Sequence, residues 1–151
     1  MTNIHLVTKI KAPIQTVFDL SRNIDVHQQS ALHSNEKAID GTTSGLINVG
    51  ETVTWRGKHF GFYLKHKTRI TAMEKPFYFI DEMEQGHFRS FRHEHVFSFE
   101  NGFTVMTDNL HYKTPFGIFG KWFDKLILKQ HLTEFLIKRN QILQNISENK
   151  Q

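Results

Sequence analysis

With 151 residues, 38% of them hydrophobic, 23% charged and only three prolines, the chain has the size and composition of one globular domain and excludes a disordered tail, a collagenous repeat or a membrane-embedded chain. Its 19 Lys and Arg against 15 Asp and Glu leave a net charge of +4, too small a surplus to imply nucleic acid by itself. The absence of cysteine excludes disulfides, thiolate metal sites and a cysteine nucleophile.

Met1-Thr2-Asn3-Ile4-His5-Leu6 lacks a basic start followed by an apolar run, and no stretch of ~18 apolar residues follows, so a cytoplasmic protein is the expectation. Ile4, Leu6, Thr8 and Ile10 alternate with His5, Val7 and Lys9, which predicts a short strand ending at Ala12-Pro13. Pro13 suits a helix start, where its missing N–H costs nothing, and Ile14, Val17, Phe18 and Leu20 follow at helical spacing as far as Ser21-Arg22-Asn23. A second short helix is predicted from Asp25 to Leu32, with Asp25 as the candidate cap.

From Asn35 to Thr114 the period becomes two, with turn residues at intervals, the pattern of an antiparallel meander. Strands are predicted near 35–40 and 51–56, separated by Gly41-Thr42-Thr43-Ser44-Gly45 and Asn48-Val49-Gly50. In the next strand Phe62, Leu64, His66, Thr68, Ile70 and Ala72 share one face, and Tyr63, Lys65, Lys67 and Arg69 the other. Phe77-Tyr78-Phe79-Ile80 follows Pro76, and Gln85-Gly86 precedes a long strand from His87 to Phe99. Asn101-Gly102 is the strongest turn signal in the chain, because a type I′ turn needs positive φ at both central positions. A two-residue loop dictates the register. Pairing Glu100 with Phe103 sets Phe97 opposite Met106, His95 opposite Asp108, His93 opposite Leu110 and Phe91 opposite Tyr112, on one face that is apolar except at its centre.

Beyond Thr114-Pro115 the period returns to helical. Phe119, Trp122, Phe123, Leu126, Ile127, Leu132, Phe135, Leu136, Ile142, Leu143 and Ile146 make an apolar stripe, which predicts one long C-terminal helix packed on the sheet. No repeat or linker interrupts the chain, so residues 1–151 are read as a single domain. Seven antiparallel strands curved around a long C-terminal helix, with two short helices after the first strand, make an α+β arrangement that leaves a wide space between sheet and helix.

This order of elements resembles the helix-grip fold of the START, birch-pollen-allergen and polyketide-cyclase-like proteins, the SRPBCC superfamily. The resemblance spans nearly the whole chain, from Ile10-Lys11-Ala12-Pro13-Ile14-Gln15-Thr16-Val17-Phe18-Asp19-Leu20 to the segment between Gly86 and Phe119. Gly86-His87-Phe88-Arg89-Ser90-Phe91-Arg92-His93-Glu94-His95-Val96-Phe97, then Met106-Thr107-Asp108-Asn109-Leu110-His111-Tyr112 and Pro115-Phe116-Gly117, is similar to a bacterial ligand-binding subgroup often described as cell-division-inhibitor-like or cyclase-like. Position 87 departs from a common proline of that subgroup and position 91 from a tryptophan. The resemblance implies a cavity for an apolar ligand.

Two counts bear on that cavity: 14 phenylalanines and 10 histidines. Large rings either fill a bulky core or line a pocket. Trp55, Phe62, His66, Phe77, Phe79, Phe91, Phe97, Met106, Trp122, Phe123 and Leu126 are the expected ligand-binding residues, around a lipid, isoprenoid, quinone or polyketide-like molecule. His95 beside Asp108 is a candidate acid–base pair, since a carboxylate fixes the imidazole tautomer and raises its pKa, with His93 or Tyr112 to hold a substrate oxygen. A binding protein is the first reading. A cofactor-independent cyclase, dehydratase or isomerase is the alternative, and a protein-interaction module the third.

Other signals are set aside. His93-x-His95 has metal-pair spacing, with His66 or Asp108 as further ligands, but lacks a spaced full set, and no metal or cofactor is expected. Arg56, Lys58, His59, Lys65, Lys67 and Arg69 beside Trp55, Phe60 and Tyr63 could stack single-stranded nucleic acid, yet they fall mostly on the solvent face of one hairpin, and no nucleic-acid partner is expected. Phe116 to Phe123 is read first as a helix start whose aromatics are core, with a transient membrane contact as the alternative.

Overall fold

The computed structural model describes residues 1–150. In chain order it contains β1 (Thr2–Ile10), α1 (Ile14–Ser21), α2 (Ile24–Ser30), a 3₁₀ turn (Leu32–Ser34), β2 (Lys37–Gly41), β3 (Thr52–His59), β4 (Phe62–Glu74), β5 (Tyr78–Gln85), β6 (Ser90–Glu100) and β7 (Phe103–Lys113). The C-terminal helical arm follows as α3 (Gly117–Phe123), a π-helical turn (Asp124–Leu128) and α4 (Lys129–Asn149). All seven strands pair antiparallel in one sheet, in the order β1-β7-β6-β5-β4-β3-β2. The expected α+β helix-grip arrangement is therefore present.

Local chemistry explains the element ends. Asn101 and Gly102 have φ of 52° and 83°, as the I′ turn requires, and the register follows: Glu100 faces Phe103, Phe97 faces Met106, His95 faces Asp108, His93 faces Leu110 and Phe91 faces Tyr112. Asn23, not Asp25, caps α2. Its side chain accepts hydrogen bonds from the Asp25 and Val26 backbone N–H groups, which leaves the Asp25 carboxylate to accept from Gly45 N.

The main core lies under α1. The Phe18 ring meets Phe79 and Phe97 edge-on, at centroid distances of 5.7 and 5.3 Å, above a fully buried Met106. A second cluster, with Ile4, Leu110, Tyr112, Leu128 and Leu136, joins β1 and β7 to the C-terminal arm.

The arm is the long C-terminal helix expected, with a π turn inside it, but its first part turns the predicted apolar stripe outward. At its start the buried positions are Gly120, Asp124 and Leu128, while Phe119, Trp122 and Leu126 are 80%, 68% and 69% exposed. The inner face carries a buried polar contact. Tyr112 is fully buried, and its hydroxyl donates to Asp124 Oδ1 at 2.5 Å, while Thr2 Oγ1 bonds Asp124 Oδ2. With Asp124 inward, the helical period puts Phe119, Trp122 and Leu126 on the outer face, and the roughly 1–3 kcal/mol at stake in one buried hydroxyl does not by itself outweigh exposing three large apolar groups. Gly120 permits this approach, because a Cβ there would lie 1.8 Å from the Pro115 carbonyl oxygen. Gly120→Ala is expected to cost at least about 1–3 kcal/mol in chemical denaturation, as overpacking against backbone does.

Candidate functional site

A cavity of about 210 Å³ opens between the concave sheet and the C-terminal arm. Its apolar wall includes Trp55, Ile70, Phe79, Phe88, Phe91, Leu110, Leu132, Phe135 and Leu136. Its polar wall is unusual, because seven of the ten histidines border it: His27, His59, His66, His87, His93, His95 and His131.

The floor is a buried network centred on Asp108. β7 turns this carboxylate toward α4, where Arg139 Nη2 donates to Oδ1 at 2.8 Å and Asn140 Nδ2 donates to Oδ2 at 2.7 Å. From β6, His93 Nε2 bonds Asp108 Oδ1 at 2.9 Å. His95 Nε2 bonds Asp81 Oδ2 at 3.0 Å, and its Nδ1 lies 3.2 Å from Asp108 Oδ1, off the line of a good hydrogen bond. Carboxylates only accept, so in these bonds the imidazoles donate.

Electrostatics separates the two histidines. Burial pulls the His93 pKa down, repulsion from His95 adds to this, and the bond to Asp108 offsets only part, leaving it at about 4. Burial would lower His95 too, but Asp108 and Asp81 together hold it above its ordinary value. Burial opposes ionisation of Asp108, yet the Arg139 charge and the two histidines keep its carboxyl well below the usual range. Two carboxylates thus face one guanidinium and two imidazoles, and of the two it is His95 whose charged form the neighbours favour. Ligand atoms of Asp81, His93 and His95 also lie within 4.8 Å of one another, spacing that would suit a divalent ion.

Rings hold the imidazoles in place. Phe79 stacks on His95 at 4.2 Å, Trp55 stacks on His27 at 4.1 Å, and Phe91 meets His66 edge-on at 4.6 Å. At the other end of the cavity His27 Nε2 bonds Glu36 Oε1 at 2.7 Å, and His59 Nδ1 faces His131 Nε2 at 2.9 Å. Burial lowers the pKa of His59, His66 and His131, so these are neutral imidazoles, each with a donor and an acceptor nitrogen. His66 Nε2 is buried without a hydrogen-bond partner in the protein.

No protein-family model matches the sequence, and no curated protein is significantly similar to it. Solved structures are similar in fold. A Thermus thermophilus protein superposes with a TM-score of 0.72 at 16% identity, covering 97% of this chain and 99% of its own. Major latex-like protein 151 of Panax ginseng gives 0.72 at 14% identity over 97% of both chains, and a START superfamily protein of Mycobacterium smegmatis gives 0.73 at 13% over 99% of both. The chain has the START/SRPBCC-like fold.

Within this helix-grip frame the expected site residues divide. Trp55, His66, Phe79, Phe91, His93 and His95 border the cavity. Asp108 lies beneath it, joined to His93 and Arg139, both of which do border it. Tyr112 does not reach it, because its hydroxyl is committed to Asp124 and burial with that bond pushes its pKa up. Phe97 and Met106 are core under α1. Phe62 is 71% exposed at a hairpin tip beyond the cavity, Phe77 is exposed at the start of β5, and Trp122, Phe123 and Leu126 turn outward on the arm.

Sequence reasoning missed Asp81, Arg139 and Asn140, and with them Glu36, His27, His59 and His131. A signal existed for three of these. Asp81 follows Phe79 at period two on β5, and Arg139-Asn140 interrupts the apolar stripe from Leu132 through Leu136 to Leu143. The others come from separate elements that only the curvature of the sheet brings together.

Proposed function

We propose that the protein binds a hydrophobic small molecule carrying a carbonyl or hydroxyl group, held in the cavity between the sheet and α4. The observation that carries this reading is an aromatic and aliphatic wall interrupted by neutral imidazoles, among them His66, whose buried Nε2 has no hydrogen-bond partner in the protein. A purely apolar cargo would need no such groups, and a charged one would meet mostly apolar surface. The lipid, isoprenoid, quinone and polyketide-like classes all fit this description.

The alternative is an enzyme of the cyclase, dehydratase or isomerase kind, with His95 and Asp108 as its acid–base pair and His93 touching substrate. Both nitrogens of His95 face carboxylates, which favours a positioning role for His95 over direct proton transfer to a substrate.

Native mass spectrometry of the purified protein, with extraction of any retained molecule, tests the carrier reading directly. Leu132→Trp, which fills the cavity from α4, is expected to weaken binding of the probe 1-anilinonaphthalene-8-sulfonate about tenfold or more while leaving the melting temperature near wild type. Unchanged affinity in this variant would place the probe elsewhere and remove the cavity from the argument. His66→Phe, a slightly larger ring without the nitrogens, is expected to weaken an oxygen-bearing ligand more than a hydrocarbon one.

A further inference from the structure

One end of the molecule carries a surface that folding does not explain. On the C-terminal arm Ile118, Phe119, Trp122 and Leu126 stand in solvent, and on the facing β3–β4 hairpin Phe60 and Phe62 do the same. The two are one patch, since the Phe60 ring meets Phe123 edge-on at 5.4 Å. Large apolar groups gathered this way mark a binding surface rather than scattered exposure.

Two further observations say what covers it. The first is charge. Lys58 and Lys65 flank the hairpin tip, and Lys121, Lys125 and Lys129 run along the arm, all exposed. No acidic residue occurs between Thr52 and Met73, and the one acid between Phe116 and Lys129, Asp124, is buried inward. The partner is therefore negative as well as apolar. The second is backbone strain. Phe60 and Phe116 hold φ of 53° and 66°, a left-handed conformation costly for a bulky side chain, and both rings are exposed. A residue chosen for the turn alone would be glycine or asparagine.

We propose that the arm from Phe116 to Ile127 and the β3–β4 hairpin tip form a membrane-docking surface that seats the cavity mouth on an anionic lipid bilayer. Aromatic rings enter the headgroup boundary while lysines reach the phosphates around them. Among the described residues no helix is long and apolar enough to cross a membrane, so the contact is interfacial. Phe60, His59, Leu128 and His131 border both the patch and the cavity, which places the opening toward the lipid. The surface stands on exposure and charge, independent of what the cavity holds.

The test is sedimentation of the full chain with vesicles of phosphatidylcholine alone or with phosphatidylglycerol. Wild type is expected to bind the anionic vesicles, to release them as salt is raised, and to show a blue shift in Trp122 emission. Phe119→Ser with Trp122→Ser is expected to reduce partitioning at least about tenfold without lowering the melting temperature, and Lys121→Glu with Lys125→Glu and Lys129→Glu to do the same on anionic vesicles. Leu132→Trp is expected to leave vesicle binding intact, which separates this surface from the carrier reading. Wild type remaining in the supernatant with anionic vesicles would overturn the proposal. So would a lipid-free dimer, or a bound single-stranded oligonucleotide, that the Phe119 and Trp122 substitutions abolish while vesicle binding persists.

Discussion

Replacing Asp108 with alanine is expected to lower the unfolding free energy by about 3–5 kcal/mol, as removal of one partner from a buried ion pair does. Asp108 is fully buried, and both its oxygens accept hydrogen bonds from buried donors on two different elements. Without it the Arg139 guanidinium keeps its charge in a dry site, His95 keeps only Asp81, and Asn140 loses an acceptor. Urea unfolding measures the loss. A double variant, Asp108→Leu with Arg139→Met, is expected to recover much of it, because the stranded charge is then gone as well. If the double variant is as unstable as Asp108→Ala with Arg139→Met, packing rather than charge dominates the site. Asp108→Asn keeps the side-chain shape but loses the charge and sets an NH2 donor against one of the groups that donate to Asp108, and it is expected to fall between wild type and Asp108→Ala.

Acidification is expected to have the second largest effect. His93 titrates at about 4 in the folded protein against 6.5 unfolded, so between those values the unfolded chain binds a proton that the native state refuses. Stability then falls with pH, by roughly 3 kcal/mol from this residue across the interval. Burial lowers the pKa of His33, His59, His66 and His131 as well, which adds to the same loss. Asp81, Asp108 and Glu36, all held below their ordinary values, extend the loss as pH falls further. His95 acts in the opposite sense. Its raised pKa contributes stability that is full below its unfolded value and disappears as pH rises through the folded one, so it weakens the protein on the alkaline side. Urea midpoints measured from pH 7.5 to 4.5 check the sign, and His93→Gln is expected to flatten the acid limb. A profile that is flat between pH 6.5 and 4.5 would contradict a buried neutral His93.

These two effects have a common origin in the fold. The helix-grip arrangement leaves a cavity, and a cavity floor with polar groups must satisfy them without bulk water. Asp108 does this by linking sheet to helix. Polar groups further out, such as His66, are left for whatever fills the cavity.

The sequence by itself determined the strands, the single sheet and the register of its central hairpin. Period-two patterns and Asn101-Gly102 are local signals whose geometry follows from backbone sterics, and they placed His95 opposite Asp108 before any tertiary contact was known. It also placed Phe91, His93, His95 and Phe97 on one face of that hairpin. Only the tertiary structure decided which residues finish the site. Spacing marks Asp81 and Arg139 as polar residues at inward positions, but that Asp81 meets His95 and Arg139 meets Asp108 follows from strands and a crossing helix converging, which no single element encodes. The same holds for the C-terminal arm, where an apolar stripe pointed to core and the structure turned it to solvent. Asp124 lies inward on the buried Tyr112 hydroxyl, and Phe119, Trp122 and Leu126 lie on the outer face of the same helix. Periodicity records which residues share a face; contacts with the rest of the fold decide which face goes in.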